Sequence, residues 1–102
     1  MNSKLEILQN ERERLKNCIK LTFTDVEVFV TNRKSEIKIF KLNKIINLFE
    51  DSNVNVEEQL KMIINSMQTE LYNCEKNNNI EAIIYYDALL ELVDLLLKTQ
   101  KQ

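Results

Sequence analysis

Asp87, Glu91 and Asp94 stand at four-then-three spacing, which on a helix places three carboxylates on one face. A hard cation takes six or more oxygen ligands, and with no neighbouring oxygen donors evident these three are expected to form a solvated polar strip. Glu57 and Glu58 are adjacent and diverge on a helix, so they do not make the opposed carboxylate pair of glycoside hydrolysis. Cys18 and Cys74 belong to no C-x-x-C pair, which removes a zinc ribbon or a dithiol redox site and leaves two reduced, buried thiols acting as small hydrophobes. No catalytic residue, metal ligand or cofactor is expected, and the chain reads as non-enzymatic.

The residue types that are missing sharpen this. The 102 residues include no His, Gly, Pro or Trp. Without His there is no Ser-His or Cys-His nucleophile pair and no H-E-x-x-H zinc helix. Without Gly the phosphate-cradling loop, the dinucleotide fingerprint and the nucleophile elbow are all excluded, because each needs backbone only Gly tolerates. At 44% hydrophobic and 29% charged, the chain is too apolar for a disordered tail and suits one small domain over residues 1–102. The first residues carry charge instead of a signal-like apolar run, and Asp87, Glu91 and Asp94 break the richest apolar segment, 83–97. The expectation is a cytoplasmic protein with no membrane association. Abundant Asn, Lys and Ile is the pattern of AT-rich codons, as in a low-GC bacterium or its mobile elements.

Charge is unevenly placed. Residues 1–44 carry ten basic and six acidic side chains, net +4, and the remainder carries four basic and ten acidic, net -6, within a total of -2. Such polarity orients a dimer or presents opposite signs to different partners. Arg33, Lys34, Lys38 and Lys41, with Asn32 as an uncharged donor beside them, form the basic segment expected to meet an acidic protein surface or nucleic acid phosphates.

The elements that must position these groups follow from periodicity. Leu5, Leu8, Leu15 and Ile19 predict a helix over 3–20, with Ser3 and Glu6 at capping-box spacing and Arg12 interrupting the stripe. From 21 to 42 the pattern alternates: Val26, Val28 and Val30 face one way and Ile37 and Ile39 can pair with them, which predicts a β-hairpin. Its tip would lie at Thr31–Ser35, with Asn32 in the left-handed conformation and a bulge near Thr24–Asp25 to bring in Leu21 and Phe23. A short helix is expected over 43–50, and a longer one over 55–76 capped by Asn55 with Glu58 in capping-box position. Asn77, Asn78 and Asn79 would end that helix and cap the last one, 80–98. The fold class is thus α+β and predominantly helical, α-β-β-α-α-α, with the hairpin packed on a small helical bundle.

The last helix is apolar around much of its circumference. Ile83, Tyr86, Leu90, Val93 and Leu97 form one stripe, and Tyr85, Leu89, Leu92 and Leu96 a second beside it. Edge helices need only about 100° of apolar face. Either this helix is central or part of it is covered by another chain, and Tyr85, Tyr86, Leu89, Leu92 and Leu96 are the interface residues expected in the second case. The functional expectation is a non-catalytic interaction protein, a homodimer through its last helix, that regulates or inhibits a macromolecular target by occupying its surface. The alternative is a dimeric DNA-binding accessory protein that uses the basic hairpin around Arg33 and Lys34.

Overall fold

The computed structural model describes residues 3–19, 26–51, 53–74 and 79–101. The described residues form four helices: α1 Ser3–Cys18, α2 Val26–Phe49, α3 Val56–Cys74 and α4 Ile80–Gln100. Among the described residues there is no strand. The hairpin expected over 21–42 is therefore corrected, because residues 26–42 are the first part of one 24-residue helix that also absorbs the short helix expected over 43–50. The described residues form a helical bundle, and the α-β-β-α-α-α order does not hold. Lys20, Leu21, Phe23 and the bulge near Thr24–Asp25 lie outside the described residues, as do Ser52, Asn77 and Asn78.

Residues 26–42 are helical for a physical reason. Ile39, Leu42, Ile46 and Phe49 repeat at three-and-four spacing, so the apolar stripe of the 43–50 segment continues backwards through the second expected strand. No Gly or Pro interrupts it. The valines cost a few tenths of a kcal/mol each in a helix, which burial of Leu42, Ile45, Ile46 and Phe49 outweighs. A lone two-stranded hairpin has no comparable gain. Asn32, expected to be left-handed at a hairpin tip, is a buried residue of α2, and no described residue has positive φ.

The helix ends follow local chemistry. Glu50 and Asp51 donate the last helical bonds of α2, to Ile46 and Leu48, and the Asp51 carboxylate accepts from the Asn53 amide at 2.9 Å. The Asn55 side chain accepts from the Glu58 amide at 3.2 Å at the start of α3. Asn79, in extended conformation, caps α4 by accepting from the Glu81 amide at 2.8 Å.

Helix α1 packs on α2, α3 on α4, and α2 on α4, with α4 also touching α1. The core draws Leu8 and Leu15 from α1, Leu42 and Ile46 from α2, Leu60 and Ile64 from α3, and Leu89, Leu92 and Leu96 from α4. Arg12, which interrupts the apolar stripe of α1, reaches across to α2 and donates to the Asn43 side-chain oxygen at 3.0 Å. The described body measures 43 × 31 × 19 Å, so its thin dimension is close to two helix diameters.

Candidate functional site

The basic residues expected at a hairpin tip and in the strand after it are spread along α2, and each meets a carboxylate. Arg33 lies 3.3 Å from Glu36 and 3.7 Å from Glu81. Lys34 and Lys38 converge on the two oxygens of Glu91 at 2.5 and 3.0 Å. Lys41 pairs with Glu70 at 3.5 Å. Asn32 points into the protein. The excess positive charge of residues 1–44 is thus matched to the excess negative charge of α3 and α4 within one chain, and a basic β-ribbon for nucleic acid is absent among the described residues.

These pairs also tie α2 to α4. Arg33 and Lys34 are neighbours on α2, yet they reach Glu81 and Glu91, ten residues and about 15 Å apart along α4. Lys34 and Lys38, a full turn apart, meet the same carboxylate.

Glu91 is shared by Lys34 and Lys38. Its partial burial works against ionisation, but hydrogen bonds from Lys34 and Lys38 and their charges outweigh that and hold its pKa below the usual 4.5. Glu11 on α1 is lowered chiefly by its 2.5 Å hydrogen bond and ion pair with Arg14, and the Arg14 guanidinium is correspondingly raised.

An open groove of about 670 Å³ lies between α2 and α4. Ile37, Phe40 and Lys41 form one wall, Ala82 and Tyr85 the other, and Cys74 of α3 stands at the rim, with Arg33, Glu36 and Glu81 also bordering it. The Tyr85 hydroxyl donates to Glu70, and the Lys41 ammonium lies 5.4 Å from the centre of the Tyr85 ring. Burial pushes the Tyr85 hydroxyl above its ordinary pKa, and the bond to Glu70 adds to the rise. For Lys41 burial opposes the charge, but the interactions with Tyr85 and Glu70 exceed it and the pKa is raised. Both groups therefore stay protonated at neutral pH, which suits them to hold Glu70 and the groove wall in place and not to exchange protons. Phe40, 59% exposed, stands at the groove edge with the Lys44 ammonium 4.4 Å above its ring.

The structure separates the residues expected at an interface. Leu89, Leu92 and Leu96 are buried in the core of the single chain, whereas Tyr85 and Tyr86 are half-buried. The exposed large apolar residues of α4 are Ile80, Ile83 and Leu90. The larger apolar exposure is on α2, through Val26, Phe29 and Phe40, and sequence reasoning missed it because Val26, Val28 and Val30 also satisfy strand alternation. The signal that finds it is the helical series Val26, Val30, Ile37, Phe40, at steps of four, seven and three. Cys18 is exposed and Cys74 half-buried, so the expected burial of both thiols is also corrected.

No group of three or more His, Cys, Asp or Glu side chains among the described residues is placed to hold a metal ion. Within the acidic strip, Glu91 is committed to two lysines and Asp94 lies 3.2 Å from Lys98. Among the described residues, no helix is long and apolar enough to cross a membrane. The described residues define a helical bundle in which the basic side chains Arg33, Lys34, Lys38 and Lys41 of α2 meet carboxylates of the same chain while several apolar side chains stand exposed. Comparison with protein-family models, with curated proteins and with solved structures gave no match.

Proposed function

We propose that this chain is a non-catalytic, cytoplasmic interaction protein that self-associates and regulates or inhibits a macromolecular target by occupying its surface. The observation that carries the reading is the contrast on α2 and α4. Arg33, Lys34, Lys38 and Lys41 are each engaged by carboxylates of the same chain, while Val26 at 73% exposed, Phe40, Ile80 and Ile83 stand outside. A surface whose charges are neutralised internally and whose apolar groups are exposed loses little on desolvation and gains from contact with another surface. The part of α4 that faces a target carries Ile83 and Leu90 beside Asp94, a combination suited to an apolar protein surface with basic neighbours.

The test is affinity capture from the source cells with wild type and with an Ile83→Glu/Leu90→Glu variant of unchanged helical content. A stoichiometric protein retained by wild type and lost from the variant supports the reading. Retention of nothing, or equal retention by both, overturns it. A salt-dependent mobility shift of duplex DNA that disappears in Arg33→Glu/Lys34→Glu would instead favour a nucleic-acid target.

A further inference from the structure

The two halves of α2 are held by different forces. Residues 39–49 supply Leu42, Ile45, Ile46 and Phe49 to the core, with Ile39 packed against it. Among the described residues, 26–38 supply no apolar side chain to that cluster, although Val28, Val30 and Ile37 are half-buried. The side chains that 26–38 do bury are Asn32, Ser35 and Lys38, and polar groups gain little by leaving water. The second half of α1, packed on α2, adds a single core residue, Leu15. What ties 26–38 to α4 is charge: Lys34 and Lys38 meet Glu91 at 2.5 and 3.0 Å, and Arg33 lies 3.7 Å from Glu81. Local preference opposes the helix here, because Val26, Val28, Val30, Thr31 and Ile37 are β-branched and lose side-chain freedom in it. Segments with few buried apolar contacts are the ones that open below the cost of global unfolding.

We propose that residues 26–38 are a latched segment, which opens as a unit while 39–49 stay packed, with Glu91 as the catch. Lys34 and Lys38 share the Glu91 carboxylate, so its loss frees two successive turns of α2 together and makes the opening a single step. Glu91 is itself half exposed, so water can reach the catch without disturbing the core. Opening carries Lys38 out of the cavity of about 220 Å³ that it lines with Glu91, Leu92 and Leu95. Leu92, fully covered in the closed form, then comes within reach of another molecule. The latch thus sets when this part of α4 can be contacted. It needs no target to operate, so it goes beyond the surface-binding reading and does not depend on it.

The experiment is residue-resolved native-state hydrogen exchange on the full chain, comparing the amides of 30–38 with those of 42–49. The first amides of α2 are left out because they have no helical acceptor. In wild type, 30–38 are expected to share one protection factor, at least about tenfold below that of 42–49, and to respond weakly to dilute urea because their opening exposes little surface. Two mild variants separate the openings. Ile64→Val changes an α3 core contact that the open form keeps, so it lowers the protection of 42–49 and leaves 30–38 unchanged. Glu91→Gln weakens pairs that both openings break, so it lowers the protection of both groups by the same factor, about tenfold. Equal protection of the two groups in wild type overturns the proposal, and so does a graded rise from 30 to 38, which is fraying from the helix end. A response of 30–38 to Ile64→Val defeats the separate opening, and indifference of 30–38 to Glu91→Gln defeats the catch.

Discussion

Lys38 and Glu91 are 53 residues apart in the chain and 3.0 Å apart in the fold. Lys38 is one of the buried residues of α2, and the carboxylate that neutralises it also holds Lys34. One acidic side chain of α4 therefore serves two lysines of α2. A buried ammonium without its partner is costly, so removing the carboxylate destabilises this packing of α2 on α4.

Replacing Glu91 by Gln is expected to destabilise the protein by about 1–2 kcal/mol, below the usual figure for a broken buried pair because Glu91 itself is half exposed. Lys38→Met removes the buried charge together with its need for a partner and costs less. Urea unfolding of both variants and of the double variant measures the difference and yields the coupling energy.

Stability has an acid edge and an alkaline edge. Glu91 and Glu11 have lowered pKa values, so their contribution is present above the unfolded value of 4.5 and is lost as pH falls through the folded one. Tyr85 is raised, so its contribution is full below its ordinary value of 10.0 and is lost as pH rises through the folded one. Thermal melts across pH are expected to fall at both ends. Glu70→Gln flattens the alkaline fall specifically, since the hydroxyl then loses its carboxylate acceptor.

Leu92 and Leu90 sit two residues apart on α4 with opposite fates. Leu92→Ala is expected to cost about 2–5 kcal/mol by opening a cavity in the core, and Leu90→Ala less than about 1 kcal/mol. Leu92→Glu unfolds the chain instead of releasing intact monomers, a distinction that circular dichroism reads directly.

Thr31 distinguishes a helix from a turn. Inside α2, Thr31→Pro removes a helical hydrogen bond and is expected to cost about 3 kcal/mol, whereas a hairpin tip would accept it. Thr31→Ala, at an exposed helical position, stabilises by about 0.5 kcal/mol. Chemical denaturation of the two variants is the measurement.

What the sequence determined by itself was local. The apolar stripes of α1, α3 and α4 repeat at helical spacing, and Asn55 and Asn79 stand where a helix without glycine or proline signals must begin; the structure has both as caps. The missing histidine and glycine excluded whole classes of catalytic motif before any fold was known. The charge asymmetry was legible too, but its meaning was not. Net charge along a chain does not say whether the opposite sign lies on a partner or on the chain's own far end, and contacts such as Lys41 with Glu70 and Lys34 with Glu91 exist only once α2, α3 and α4 are packed.

Tertiary structure decided two further things. Residues 26–42 satisfy an alternating pattern through their valines and a helical one through Ile39, Leu42 and Ile46, and local propensity differs between the two by less than burial does. Only the surfaces of α1 and α4, waiting to be covered, select the helix. The wide apolar arc of α4 is divided by the same cause. Leu89, Leu92 and Leu96 are core because neighbouring helices arrive there, and Ile83 and Leu90 are surface because none does among the described residues. Hydrophobicity names the residues that seek contact, and the packing of neighbours determines which of them find it within one chain.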